Sequence, residues 1–223
     1  MFSRIFKRKS YPKYWLDYVE KVSTCEKYYN YESIRFVVLD TETTGFDYEN
    51  DRMLCIGAVA IKNNKILVTD SFEVYIKQDV FNKETVKIHG IRKNGTETKM
   101  SEEEALIAFI EYLDDAVIIA HHTAFDLNMI NTALRRINLG PLISKQLDTN
   151  YIYKKLSPKN RHNKVFSLDN LCNEYGVTMH DRHTASGDAL LTALVFLKLT
   201  NQYKKNNALN IFDLVNTNYN LNK

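Results

Sequence analysis

The stretch that most restricts the folds open to this chain lies between residues 53 and 76. Two long runs, MLCIGAVAI and ILVTDSFEVYI, are separated only by the KNN that falls between Ile61 and Lys65. Asparagines between two strand-like runs predict a β-hairpin. A third run, IRFVVLD from Ile34, reads as a buried strand just upstream. Three strands in succession predict an antiparallel meander.

The pattern then changes. In SEEEALIAFIEYLDD, Ser101 and Glu104 form a capping box ahead of an apolar face at Ala105, Phe109 and Leu113, which predicts a helix. AVIIAH reads as a short buried strand and AFDLNMINTALRRI as a helix stopped by Gly140-Pro141. KQLDTNYIYKKL fits a short strand entering a helix or a helix alone, and SPKNRHNKVF is a polar, basic loop. SLDNLCNEYGV predicts a helix capped by Ser167 and ended by Gly176, and TASGDALLTALVFLKLT a long apolar one. Strands alternating with helices resemble parallel crossover units, so the expected class is α/β.

The ends differ from this body. Residues 1–33 carry seven Lys/Arg against four Asp/Glu, while the remainder holds equal numbers of each, so the net charge of +3 is that of a basic arm on a neutral body. Overall charge therefore does not argue for nucleic acid, although such an arm could add phosphate contacts. Within the arm Tyr14, Trp15, Tyr18, Val19 and Val22 share one helical face, which could dock on the body, on a partner or on nucleic acid. From Asn201 the tail is rich in asparagine with little periodicity, and weak order is expected there. The expected division is an arm over 1–33, a central domain over 34–200 and a tail over 201–223. No apolar run is long enough for a membrane span and the N-terminus lacks a secretory core, so a cytoplasmic location and no membrane partner are expected. Cys25, Cys55 and Cys172 suit neither a disulfide framework nor a zinc site.

The chemistry is signalled by FVVLDTETTG. Residues i and i+2 of a strand point to the same side, so Asp40 and Glu42 present two carboxylates together at the end of a buried strand. A divalent cation resolves their repulsion, and Mg²⁺ or Mn²⁺ favours carboxylates shared with water and phosphate. Asp126 follows the next apolar strand at the mouth of a helix, and Asp188 lies near the start of the long helix. Each acid alone is an ordinary helix-start acid. Four at the ends of core elements suit an acidic cup for two metals. His183, five residues before Asp188, can accept a proton from a water held there.

LDTETTG, AHHTAFD and HTASGDA together resemble the three motifs of the DEDDh branch of the 3′-to-5′ exonucleases, the group that includes bacterial proofreading subunits. The resemblance spans about residues 34–200. Thr184 stands where the DEDDy branch would have tyrosine, and His122 stands where many relatives have asparagine. It implies a ribonuclease H-like α/β fold, with a mixed five-stranded sheet whose first three strands are antiparallel. It also implies two divalent cations, Mg²⁺ or Mn²⁺. Asp40 would bridge both, Glu42 and Asp188 would complete one site, Asp126 would serve the other, and His183 would be the general base. Thr43, Thr44, His89 and Phe125 match positions that hold the 3′-terminal nucleotide. The implied substrate is the 3′ end of single-stranded DNA, with RNA ends as the alternative and an idle nucleic-acid-binding module as a remote one. Association with a DNA polymerase or sliding clamp is a further expectation; ALNIF in the tail is loosely like a clamp-docking peptide but lacks its leading glutamine.

Overall fold

The computed structural model describes residues 10–24, 31–157 and 165–206. Its centre is a mixed sheet of six strands in the order β4-β3-β2-β1-β5-β6. Strands β1 (Phe36–Thr43), β2 (Met53–Lys62) and β3 (Lys65–Ile76) form the antiparallel meander, while β5 (Val117–Ala120) and β6 (Gln146–Asp148) add parallel to β1. The β2–β3 turn is made by Asn63 and Asn64, both at positive φ (52° and 57°), as a tight right-twisted hairpin requires. The sixth strand, β4 (Lys99–Met100), is a two-residue addition beside the end of β3; it explains the difference from the expected five strands.

Helices α3 (Glu102–Leu113) and α4 (Ala124–Arg136) cover one face, and α5 (Thr149–Leu156), α6 (Leu168–Tyr175) and α7 (Ala185–Asn206) the other. The alternation of β1 sorts the two cores. Val37 and Leu39 pack with Leu106, Phe109 and Ile130, whereas Phe36 and Val38 pack with Val195, Phe196 and Leu199. Each such fully buried side chain contributes about 1.5–3 kcal/mol relative to exposure. The helices at Ser101 and Ser167 both start with the capping box side-chain pair, reciprocal with Glu104 and Asn170. Gly176 ends α6 in the left-handed conformation.

Three boundaries differ from those read in the sequence. Helix α4 stops at Arg136, because Asn138 at φ 63° turns the chain while Leu139 N–H donates to Leu134 O at 2.9 Å. Gly140 instead admits Trp15, whose ring would lie 3.3 Å from any Cβ placed there. Helix α1 (Lys13–Ser23) packs on α3 and buries Trp15, Tyr18 and Val22, so its aromatic face belongs to the core. Tyr18 Oη accepts the N–H groups of Ile143 and Ser144 at 3.0 and 3.2 Å, joining α1 to the segment before β6. Finally, α7 runs past residue 200 to Asn206, where Lys204 Nζ donates to Asn64 at the hairpin turn and stands over the Tyr31 ring. Thus α1 and residues 201–206 both pack against the central body. Cys25, His162 and the ALNIF segment lie outside the described residues.

The ambiguous KQLDTNYIYKKL segment is the short strand β6 leading into α5. Asp148 caps it by accepting the N–H groups of Asn150 and Tyr151 at 2.8 and 3.4 Å. The stretch before β4 holds a helix not read in the sequence, α2 (Lys83–His89), capped by Asn82 and ended by Gly90 at φ 72°.

Candidate active site

Strand β1 is apolar on both faces until Leu39; after it, the face that carried Phe36 and Val38 carries Asp40 and Glu42. The start of α7 lies over this same face. It gets there because Gly57, paired with Asp40 across β1 and β2, has no side chain: a Cβ at Gly57 would stand 2.3 Å from the backbone of Ala185 and Ser186. An isolated glycine within a strand signals such a close backbone approach. Gly57 is therefore a residue of the site that its sequence context, an apolar run, could have disclosed.

The loop into α7 is folded on itself. Thr184 Oγ1 donates to Asp181 O at 2.7 Å and accepts Gly187 N–H at 3.1 Å, while Asp188 N–H donates to Thr184 O at 2.9 Å. His183 sits at φ 62°, and its backbone N–H donates to Asp188 Oδ2 at 3.3 Å. As a result Asp40, Glu42 and Asp188 each bring a carboxylate oxygen within 4.8 Å of one another, an arrangement of oxygen donors that fits a hard divalent cation.

Asp126 arrives from the opposite layer, in the first turn of α4, and is 3% exposed. One of its oxygens accepts both the backbone N–H of Thr41 at 3.0 Å and the Thr41 hydroxyl at 2.8 Å. It is outside the close group of three, yet near enough for its charge to raise the pKa of Asp40 and of Glu42. Burial is the largest cause of both shifts, followed by the other carboxylates; it holds Asp40 well above the usual carboxylate range and pushes Glu42 up to about 8. Burial also raises Asp126, against the Thr41 hydrogen bonds that lower it. Both Asp40 and Glu42 keep part of their surface in water, which softens the effect. Carboxylates crowded this way gain from a cation, so the donor set and its electrostatics both suit a divalent metal.

Two groups here had no counterpart in the sequence reading. Arg182 Nη1 is ion-paired with Asp188 Oδ1, and its Nε donates to Asp169 Oδ1 at 2.6 Å. Phe46, 80% exposed, packs against Phe125 with ring centroids 5.6 Å apart, and Tyr48 joins from the same loop at 5.8 Å. Arg182 was visible only as the neighbour of His183; which acids it meets depends on how α6 and α7 pack.

The expected nucleotide-binding positions divide. Phe125 presents a ring in the Phe46–Tyr48 cluster, and His89 closes α2 with its Nδ1 accepting the Ile91 N–H at 3.0 Å. The other ring nitrogen of His89 is buried beside the Thr43 backbone; burial lowers the histidine's pKa and the backbone hydrogen bond with Thr43 opposes it. Thr44 lies in the turn after β1. It is fully buried, its hydroxyl donates to Asp51 at 2.7 Å, and its N–H donates to Arg52 O at 2.9 Å, so it serves the turn. The Thr43 hydroxyl likewise donates to Gly45 O at 2.8 Å. His121 bonds Thr149 and the Phe166 carbonyl at 2.8 and 2.9 Å; burial drives its pKa down to about 3. His122, at φ 63°, shares that carbonyl at 3.2 Å, so the unusual histidine of AHHTAFD bonds to the chain rather than joining the acids.

A mixed sheet whose central strand ends in clustered carboxylates, joined by acids from the first turns of two helices, defines a nuclease domain of ribonuclease H-like fold. The chain belongs to the exonuclease family, whose sequence profile matches residues 37–196, and within it to the DEDDh branch. It is 34% identical over 191 residues to the DNA polymerase III subunit epsilon of Buchnera aphidicola, covering 80% of this chain and 75% of that one. With the DNA polymerase III PolC-type of Thermotoga petrophila it shares 32% identity over 177 residues, 79% of this chain but 12% of the polymerase. E. coli exonuclease I bound to a dT13 oligonucleotide superposes with a TM-score of 0.69 at 16% identity, covering 81% of this chain and 43% of that one. This chain thus spans only a part of the PolC-type and exonuclease I proteins.

Proposed function

We propose that this protein is a metal-dependent 3′-to-5′ exonuclease that removes nucleoside 5′-monophosphates from single-stranded DNA ends, in proofreading or repair. The observation that carries this reading is the group formed by Asp40, Glu42 and Asp188, with Asp126 beside it. Two cations, Mg²⁺ or Mn²⁺, would be held by these four acids and would supply water activation and stabilisation of charge on the phosphate.

The chain's own residues do the rest. Asp40, between the acids of both helices, would help to hold both cations, with Glu42 and Asp188 contributing to one and Asp126 to the other. His183, anchored next to Asp188, accepts the proton of the attacking water on its imidazole. The buried ring nitrogen of His89, beside the Thr43 backbone, offers a hydrogen bond to the 3′-terminal nucleotide. Phe46 and Phe125 offer a face on which a base can stack, an interaction worth about 1–3 kcal/mol and indifferent to base identity. Transfer of this kind asks a protein mainly for positioning and charge stabilisation. The relative named as a polymerase subunit motivates association with a DNA polymerase or its sliding clamp as part of the same reading.

The test compares shortening of matched DNA and RNA oligonucleotides with Mg²⁺, with Mn²⁺ and with chelator, in wild type and Asp40→Ala. Metal-dependent stepwise loss of 5′-mononucleotides from the 3′ end, absent in the variant, is the expected result. Faster shortening of RNA would move the substrate to RNA ends, and binding without shortening would leave a nucleic-acid-binding module. Co-elution with purified polymerase and clamp on a sizing column checks the partner; unchanged elution with both removes it.

A further inference from the structure

Arg182 contributes a cation within direct reach of the acidic group. Its guanidinium meets two acids from two helices: Asp169 in the first turn of α6, through Nε at 2.6 Å, and Asp188 in the first turn of α7, through Nη1. The Arg182 and Asp188 side chains are 21% and 9% exposed. Both are largely withdrawn from water, and a planar guanidinium with its fork of donors can span two carboxylates at once. The same Asp188 belongs to the three-carboxylate group. Arg182 also opposes the upward shifts on Asp40 and Glu42, which burial and the neighbouring acids drive.

A cation entering the group meets a carboxylate that already carries a guanidinium, and like charges a few ångströms apart repel appreciably in a partly buried site. We infer that Arg182 is a positioning residue that stands in for the metal on Asp188 and competes with it, while Asp169 holds the guanidinium ready to let go. The inference rests on the two-metal reading above. It gives Arg182 a role distinct from that of scaffold: a pure scaffold would hold Asp188 in place and its loss would weaken metal binding, whereas a competitor's loss strengthens it. Asp169 has the opposite sign. Without its charge the guanidinium settles fully on Asp188, and the metal is bound less tightly.

The experiment measures free Mn²⁺ by electron paramagnetic resonance in titrations of the chelator-stripped full chain, alongside thermal unfolding without metal, for wild type, Arg182→Gln and Asp169→Asn. Arg182→Gln is expected to unfold at lower temperature in the stripped state yet to bind Mn²⁺ about fivefold more tightly or better. Asp169→Asn is expected to bind it several-fold more weakly. Mn²⁺ binding by Arg182→Gln equal to or weaker than wild type would overturn the inference. If that variant does not fold, binding by Asp169→Asn equal to or tighter than wild type overturns it instead. A wild-type chain that binds no Mn²⁺ overturns the two-metal reading and this inference with it.

Discussion

Asp126 and Asp188 do the same thing in sequence and opposite things in structure. Both occupy the first turn of a helix, and both bring a carboxyl group to the end of β1. Asp126 comes from the α3–α4 layer and is gripped by uncharged donors, the Thr41 N–H and hydroxyl. Asp188 comes from the α7 layer and is held by a guanidinium on one oxygen and the His183 N–H on the other. Hydrogen bonds from a central strand make Asp126 part of the sheet's own geometry. An ion pair makes Asp188 exchangeable, since one cation can replace another. One acid is built in and the other is held in readiness.

The comparison breaks most completely if either acid proves dispensable. Asp188→Asn and Asp126→Asn, like Asp40→Asn, are each expected to lower exonuclease turnover by about 10²-fold or more, measured as mononucleotide release at saturating Mn²⁺. Turnover near wild type in either variant would remove that acid from the site. Next in size is Gly57→Val, which forces α7 away from β2 and with it Asp188 but not Asp126. Displacement by about 1 Å is expected to lower turnover by about 10²-fold and overpacking to destabilise by about 1–3 kcal/mol, read from rates and thermal unfolding.

A finer probe acts on the other acid. Thr41→Val deletes the hydroxyl bond to Asp126 while keeping the backbone one, and is expected to destabilise by about 1–3 kcal/mol, about 2–4 °C of Tm for each kcal/mol. A further probe is pH. Glu42 binds a proton in the folded chain between its ordinary value of 4.5 and about 8, so the folded state holds more protons than the unfolded one there. Stability in chelator is therefore expected to decline as pH rises through that window, and to decline less with Mn²⁺ present, as followed by Tm from pH 5 to 8. A Tm rising over the same range in chelator would contradict the crowding of carboxylates.

Much of the fold was legible because it is local. The Asn63-Asn64 turn, the caps at Ser101 and Ser167 and the stop at Gly176 each depend on backbone preferences of a few neighbouring residues. Parallel crossover units were legible in the alternation of strands and helices; which strand pairs with which was not. The stop at Gly140 was misplaced because a glycine needed for Trp15 looks, in sequence, like one needed for a turn. The partner of the Thr44 hydroxyl, Asp51 across a loop, was not legible because it is set by the loop's path.

Sequence alone determined which residue types stand at the ends of which elements: acids at Asp40, Glu42, Asp126 and Asp188, a histidine at 183, and a glycine inside β2. These follow from periodicity and spacing, which are properties of the chain read along its length. Only the tertiary structure decided who holds whom. Thr41 on Asp126, Arg182 between Asp169 and Asp188, and Phe46 on Phe125 are contacts between elements far apart in the chain. They arise where two helical layers converge on one end of one strand, and no local preference encodes that meeting.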